Sequence, residues 1–259
     1  MKKFIALLTA LIMIFCLAAC GEKQETKELV YAVEAGSAGE EVATEKGWKT
    51  NSVESQADAL MEVQAGTSDA AIIDLLMAGA MIGEGTSYPD LKYTDSLTEE
   101  KYGAGCRKGS DLASFINQVF YETQQDGTLK AVATTYGVQE ALIDMPETAF
   151  EEAAESDVAY IKEKGSLIIG ITDFAPMDYI GADGSWIGFD ADMAKLVAEK
   201  LGVEAQFIEI EWDNKIFELE SKSIDVVWNG MTLTDAVREA MECTNAYCNN
   251  AQVVVVPSK

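Results

Sequence analysis

Short apolar runs alternate with segments of helical periodicity along most of the chain, and one acidic stretch, Asp144 to Asp157 (DMPETAFEEAAESD), interrupts them before the alternation restarts at Ser166. Alternating strands and helices cover both faces of a mostly parallel sheet, so each side of the interruption specifies its own α/β lobe. On the first side LVYAV (29–33) is a strand, and EAGSAGE is a glycine turn in which Ser37 caps a helix. Ser55 caps a second helix, with Ala57, Leu60, Met61 and Gln64 at helical spacing before Gly66. DAAIID (69–74) is a buried strand with LLMAGAMIG as the helix behind it, and LKYTD and KYGAGCRKG are extended. Ser110 opens an amphipathic helix with Leu112, Phe115, Ile116, Val119 and Phe120 on one face; a second carries Leu129, Val132, Ala133 and Tyr136 and stops at Gly137.

After the interruption come strand LIIGIT, a turn through ADG and a helix begun by Asp190, with Met193, Leu196, Val197 and Leu201 inward. Strand EAQFIEI, helix NKIFELESK, strand DVVWNG, a short helix DAVREAM and a final run AQVVVV follow. The phrase SLIIGITDFAPMDYIGADGSWIGFDADMAKLVAEKLG has the form of a domain's opening strand, turn and first helix, yet it starts at Ser166. The chain also closes on Val253 to Val256 without the helix that should follow such a strand. Both features predict two halves written in reverse order. The acidic stretch, with its proline and few apolar residues, is the linker, and Glu151, Glu152 and Glu155 within it are a solvated charge run rather than a metal site.

Residues 1–20 have the pattern of a signal peptide: Lys2 and Lys3, an apolar run from Phe4 to Ala19, then small residues before Cys20. The run is too short for a spanning helix. Residues 21–28 are a polar tether. With 44 Asp and Glu against 19 Lys and Arg, the net charge of −25 repels nucleic acid and anionic headgroups. The chain contains no histidine, which removes histidine acid/base chemistry, histidine metal ligation and the Ser/His/Asp triad. Beyond Cys16 and Cys20 the thiols are Cys106, Cys243 and Cys248, an odd number; Cys243 and Cys248 are close enough for a small-loop disulfide, with free thiols the alternative. No zinc site or other metal centre follows from them.

The segment DVVWNGMTLTDAVR sets Asn229, Gly230 and Thr232 just past a buried strand, where open α/β sheets bind ligands. Amides and hydroxyls there can hold a carboxylate, and Arg238 is the candidate guanidinium clamp. EAGSAGE aims the amides of a helix N-terminus, at Ser37 and Ala38, toward an anion or polar group. Phe174, Trp212 and Trp228 stand near strand ends, where ring faces can sandwich a ligand, although each could equally pack inside. Asp74 ends DAAIID, a natural place for a carboxylate that accepts from an ammonium group, or for a helix cap.

Together these residues resemble the bacterial extracellular solute-binding proteins for polar amino acids that serve ABC importers. The resemblance rests on GMTLT, GADGSWIGFDADMAKLVAEKLG, SIDVVWNG, EAGSAGE and DGTLKAVATTYG, and it covers Leu29 to Lys259 in circularly permuted order. It implies a two-lobed, periplasmic-binding-protein-like (type 2) α/β fold. Residues 29–100 would form the second lobe, 101–143 the return hinge strand and closing helices, 144–157 the linker, and 158–259 the first lobe and hinge strand. The small residues before Cys20 resemble a lipobox, which implies acylation of Cys20.

The resemblance further implies Asn229, Gly230 and Thr232 as donors and acceptors, with Phe174 and Trp212 lining the ligand side chain and Asp173 touching it if polar. Ser37 and the Ala38 amide would approach the ligand carboxylate, and Asp74 would accept from its ammonium. The family's arginine stands five residues after the first threonine of the GMT phrase, whereas Arg238 stands six after Thr232. The expected protein is an exported, monomeric receptor, lipid-anchored at the outer face of the bacterial cytoplasmic membrane or in the periplasm. It would bind a free, polar amino acid by hinge closure for an ABC permease, with no catalytic residues and no cofactor. The alternatives are a dehydratase-like enzyme on the same fold, with Glu34 or Asp173 as its acid/base, and a ligand-reporting partner of a membrane sensor. Segments 29–35 and 253–259 are expected to lie close together.

Overall fold

A computed structural model describes residues 28–259. The expected signal peptide, Cys20 and residues 21–27 of the expected tether lie outside the described residues. The first half runs β1 (Val30–Glu34), α1 (Ala38–Glu45), β2 (Lys49–Val53), α2 (Gln56–Ala65), β3 (Ala70–Asp74), α3 (Leu75–Met81), β4 (Leu91–Ser96), β5 (Glu100–Tyr102), β6 (Gly105–Cys106), α4 (Leu112–Asp126) and α5 (Thr128–Thr135). The second begins with α6 (Asp157–Lys164), β7 (Ser166–Ile171), β8 (Tyr179–Ile180), β9 (Trp186–Ile187), α7 (Phe189–Leu201) and β10 (Glu204–Glu209). After a 3-10 turn at Trp212–Asn214 come α8 (Lys215–Glu220), β11 (Val226–Val227), α9 (Asp235–Ala240), β12 (Glu242–Cys243), β13 (Cys248–Asn250) and β14 (Gln252–Pro257).

Two five-stranded sheets carry the lobes, in the orders β2-β1-β3-β14-β4 and β10-β7-β11-β6-β12. The orders correspond: in each, the opening strand of the lobe sits between its second and third strands in parallel, and the next place is taken antiparallel by a strand from the other half of the chain. β14 thus completes the sheet of the second lobe and β6 that of the first. Parallel strands covered on both faces read as continuous apolar runs, and β3 is buried along its whole length. The chain passes between the sheets twice, side by side, through the antiparallel pair β5–β13, where Tyr102 faces Cys248 and Glu100 faces Asn250.

The linker expected at 144–157 has no regular structure up to Ser156, but it is not a free tether. Its Met145 and Phe150 amides donate to Gln124 and Gln118 of α4 at 2.7 and 2.6 Å, and its Ala153 amide donates to Asp111 at 3.2 Å. Phe150 packs edge-on against Phe115. Apolar anchors too sparse for a periodic pattern therefore fasten the stretch to the first lobe. Helix α6, which the sequence reading passed over, follows it, capped by the Ser156 hydroxyl that accepts from the Ala159 amide.

Cys106, Cys243 and Cys248 are free thiols. Segments 29–35 and 253–259 share one sheet: β1 and β14 flank β3, with Ala32 and Val255 both opposite Ala71. Two strand spacings separate them, about 10 Å.

A buried ionic cluster fastens the inserted β6. Arg107, just past it, contacts Asp157 of α6 at 3.1 Å and Asp225, before β11, at 3.4 Å, and donates to the Ile224 carbonyl at 2.8 Å. Asp225 is fully buried and also accepts from Lys164 at 2.6 Å and from the Ile168 amide at 2.8 Å. Removing Asp225 takes away the carboxylate that Lys164 contacts and leaves Arg107 with Asp157 alone. Asp225→Ala is expected to lower stability by about 3–5 kcal/mol in urea unfolding, the range for breaking a buried ion pair. A loss under about 1 kcal/mol would remove the cluster from the fold's supports.

Candidate ligand cleft between the lobes

The carboxyl ends of β1 and β3 face those of β7 and β11, the place where open α/β sheets bind ligands. Between them lies a cleft of about 480 Å³, lined from the second lobe by Glu34, Ser37, Ala38, Gln56 and Asp74, and from the first by Trp212, Lys215, Asn229, Gly230 and Thr232. The lobes touch across it. Lys215 Nζ donates to the Gly36 carbonyl at 2.9 Å, and Thr172 Oγ1 donates to Glu34 Oε1 at 3.3 Å. Gly36 has φ of +70°, and a Cβ there would come within 2.7 Å of the Asp213 backbone, so only glycine permits both the turn and the close approach.

Asp74 is buried at the end of β3. Its Oδ1 accepts from the Tyr102 hydroxyl at 2.7 Å, from Gln252 Nε2 at 3.2 Å and from Asn250 Nδ2; its Oδ2 accepts from Gln56 Nε2. Gln56 Oε1 in turn accepts from the Asp74 amide at 2.9 Å, which fixes the carboxylate's orientation. Burial, followed by the neighbouring charge of Glu100, pushes the Asp74 pKa up to about 7. Glu34, at the end of β1, is pushed up to about 8 by burial and then by the charge of Asp74. Lys215 is only 7% exposed, with Nζ 4.8 Å from the centre of the Trp212 ring. Burial brings its pKa down to about 8, against the opposing pull of Glu34, Asp213 and Glu40.

The loop after β11 supplies the remaining groups. Asn229 Nδ2 donates to Thr172 Oγ1 at 2.6 Å, while Asn229 Oδ1 is buried without a partner. The Gly230 amide donates to Asp190 Oδ2 at 2.6 Å, and that oxygen also accepts from the Tyr247 hydroxyl at 2.7 Å. Thr232 Oγ1 donates to Glu100 Oε2 at 2.9 Å, which also accepts from Gln252 Nε2 at 3.0 Å. On the opposite wall Ser37 and Glu40 form a capping box: Ser37 Oγ accepts from the Glu40 amide at 3.2 Å, and Glu40 Oε2 accepts from the Gly36 amide at 2.8 Å.

Seven of the expected residues line the cleft: Ser37, Ala38, Asp74, Trp212, Asn229, Gly230 and Thr232. Three do not. Along the extended segment after β7 side chains alternate sides, so Thr172 and Phe174 are buried while Asp173 faces solvent. Phe174 packs beneath Gly230, where a Cβ would come within 2.3 Å of its ring, and so supports the loop from behind. Arg238 stands one residue past Val237 on α9, rotated by about 100° around the axis, so Val237 faces the cleft and Arg238 is exposed outside it.

The sequence reading missed Lys215, Gln56 and Thr172, and considered Glu34 only as an acid for a rival reading. Lys215 carried one legible signal: it stands four residues before the buried Leu219, on the inward face of α8, where a charge needs a reason.

Residues 167–259 match the family model for bacterial extracellular solute-binding proteins, family 3. Over 88 residues the chain is 35% identical to the L-cystine-binding protein TcyJ of Escherichia coli K12, covering 34% of this chain and 33% of that protein. It is 31% identical over 93 residues to the arginine-binding extracellular protein ArtP of Bacillus subtilis, covering 36% of each. It is 30% identical over 94 residues to the cyclohexadienyl dehydratase of Pseudomonas aeruginosa, covering 36% of this chain and 35% of that enzyme. The matches thus span about a third of these relatives' length. Residues 167–259, the stretch that builds most of the first lobe, are thus similar to the bacterial extracellular solute-binding proteins, family 3.

Proposed function

We propose that the chain is a lipid-anchored receptor, written in circularly permuted order, that closes its lobes around a free polar amino acid and presents the closed form to an ABC permease. The observation that carries this reading is the cleft itself: a buried, fully oriented carboxylate, Asp74, on one lobe faces the hydroxyl, amide and aromatic groups of Thr232, Asn229 and Trp212 on the other. An α-ammonium group suits Asp74. Each lobe holds half of the polar groups, so only the closed state satisfies both ends of a zwitterion, and closure follows from differential binding to that state. The hinge is the β5–β13 pair, whose Tyr102 and Asn250 both donate to Asp74, so ligand contact and hinge geometry meet at one carboxylate. Glu34, Glu40, Glu41, Glu45 and Asp74 line the cleft against Lys215, and that negative excess favours a ligand with a cationic side chain.

A second reading has a specific observation behind it. Glu34, pushed up to about 8, keeps its proton at neutral pH and faces a cleft that also holds Lys215, which suits a general acid. Together with the dehydratase relative, this supports an enzyme acting on a cyclohexadienyl acid. Turnover of such an acid, lost in Glu34→Gln, would establish it; stabilisation by an intact amino acid with no turnover would retire it.

A thermal-shift screen of the free amino acids tests the receptor reading. An amino acid at about 100 times its dissociation constant adds about 2.7 kcal/mol, and the absence of any shift across the set would end the proposal. Asp74→Ala should weaken the responding amino acid by about 30-fold or more, the cost of removing one partner of a buried charge pair; unchanged affinity would take Asp74 out of the site.

The unliganded protein should also respond to pH. Folding raises the pKa of Glu34 to about 8 and of Asp74 to about 7, so between the unfolded carboxylate values and these the folded chain holds protons that the unfolded chain has released. Their contribution is full below about pH 4 and is lost as pH rises through 7 and 8. Melting temperature should therefore fall from pH 5 to pH 8, less steeply in Glu34→Gln. An identical slope in that variant would refute the assignment.

A further inference from the structure

A zwitterion in this cleft needs a cation for its carboxylate, and the chain has two arginines to offer. Neither is free for it. Arg107 is held by Asp157, Asp225 and the Ile224 carbonyl behind the first-lobe sheet, and Arg238 points to solvent from α9. The other first-lobe residues facing the ligand space, Trp212, Asn229, Gly230 and Thr232, are uncharged, and the charged second-lobe residues that line it are carboxylates. Lys215 is the one cation among the residues lining the cleft.

We propose that Lys215 receives the carboxylate of the captured amino acid, replacing the arginine clamp, so that ligand bridges Lys215 on one lobe and Asp74 on the other. The inference rests on the amino-acid reading above and assigns one of its contacts. Three features of Lys215 support the role. Its ammonium group is buried, and its hydrogen bonds to the carbonyls of Gly36 and Trp212, at 2.9 and 3.0 Å, leave the third donor for a ligand. Among the described residues no carboxylate lies within 4.0 Å of it, so its charge is held in place by carbonyls and the Trp212 ring but unpaired. It also reaches the turn that opens α1, so the same ammonium group that joins the lobes lies beside Ser37 and Ala38, the wall expected to meet a carboxylate. Burying such a charge is costly unless something compensates it, and a ligand carboxylate would do so only in the closed state.

The test compares each amino acid with the amine that lacks only its carboxylate groups: L-arginine with agmatine, L-histidine with histamine, and L-cystine, which has two carboxylates, with cystamine, which has neither. Affinities are measured by calorimetry on the wild type, Lys215→Met, Lys215→Arg and Arg238→Ala. The wild type should prefer one amino acid over its amine by about 30-fold or more. Lys215→Met should reduce that preference to within about threefold by weakening the amino acid alone, and Lys215→Arg should keep most of it. Arg238→Ala should leave it unchanged, a result that stands even if Lys215→Met fails to fold. A preserved preference in Lys215→Met, or parallel loss of both probes, would make Lys215 a latch between lobes and overturn the assignment; so would collapse of the preference in Arg238→Ala. If no free amino acid in the full screen binds the wild type, it is the receptor reading that fails, and the assignment fails with it; if one other than these three binds, it and its decarboxylated amine take their place in the comparison.

Discussion

The carboxylate of Asp74 is where sheet, crossing strands and cleft meet. It closes the buried strand β3, and its four donors come from α2, from both strands of the β5–β13 pair and from β14, the strand that reaches this sheet from the far half of the chain. A buried carboxylate must be satisfied or neutralised, so this one fixes the relative placement of every element that donates to it. The same carboxylate faces the ligand space. Tyr102 and Asn250 tie it directly to the β5–β13 crossing, so in the proposed receptor a ligand contact at Asp74 would reach that crossing without any intermediate residue.

Charge balance explains much of the rest. The cleft gathers acidic residues around one lysine, while the arginine cluster that holds β6 in place sits elsewhere in the first lobe. Cations are scarce in a chain with 44 acidic and 19 basic residues, and the fold spends Arg107 on its own architecture. Glu34 and Asp74 are raised toward neutrality because burial dominates and their charges oppose one another.

Much of this was legible in the sequence. The strand-helix alternation, the break at the acidic stretch and the carboxylate closing DAAIID require only periodicity and the rule that ligands gather at the carboxyl ends of parallel strands. Ser37 and Thr232 followed from the same reasoning. The misplacements have local causes. Asp173 and Arg238 differ from inward neighbours by one residue, and a single step reverses a side chain on an extended segment or turns it about 100° on a helix. Lys215 was hidden because a lysine on a helix reads as solvated until the packing around Leu219 shows which face is inside. The docking of residues 144–156 on α4 depends on scattered contacts from Met145, Phe150 and Ala153, which carry no period.

That docked stretch bears on how the two halves can be joined at all. It leaves α5 and returns through α6 to β7 on one side of the cleft, docked on α4 along the way. Among the described residues, the chain passes between the two five-stranded sheets only through the paired β5–β13 crossing. In mechanical terms the docked stretch adds no third strand to that crossing. In the reordered reading proposed above, the rejoining stretch lies wholly beside one sheet and leaves the crossing between the two sheets intact.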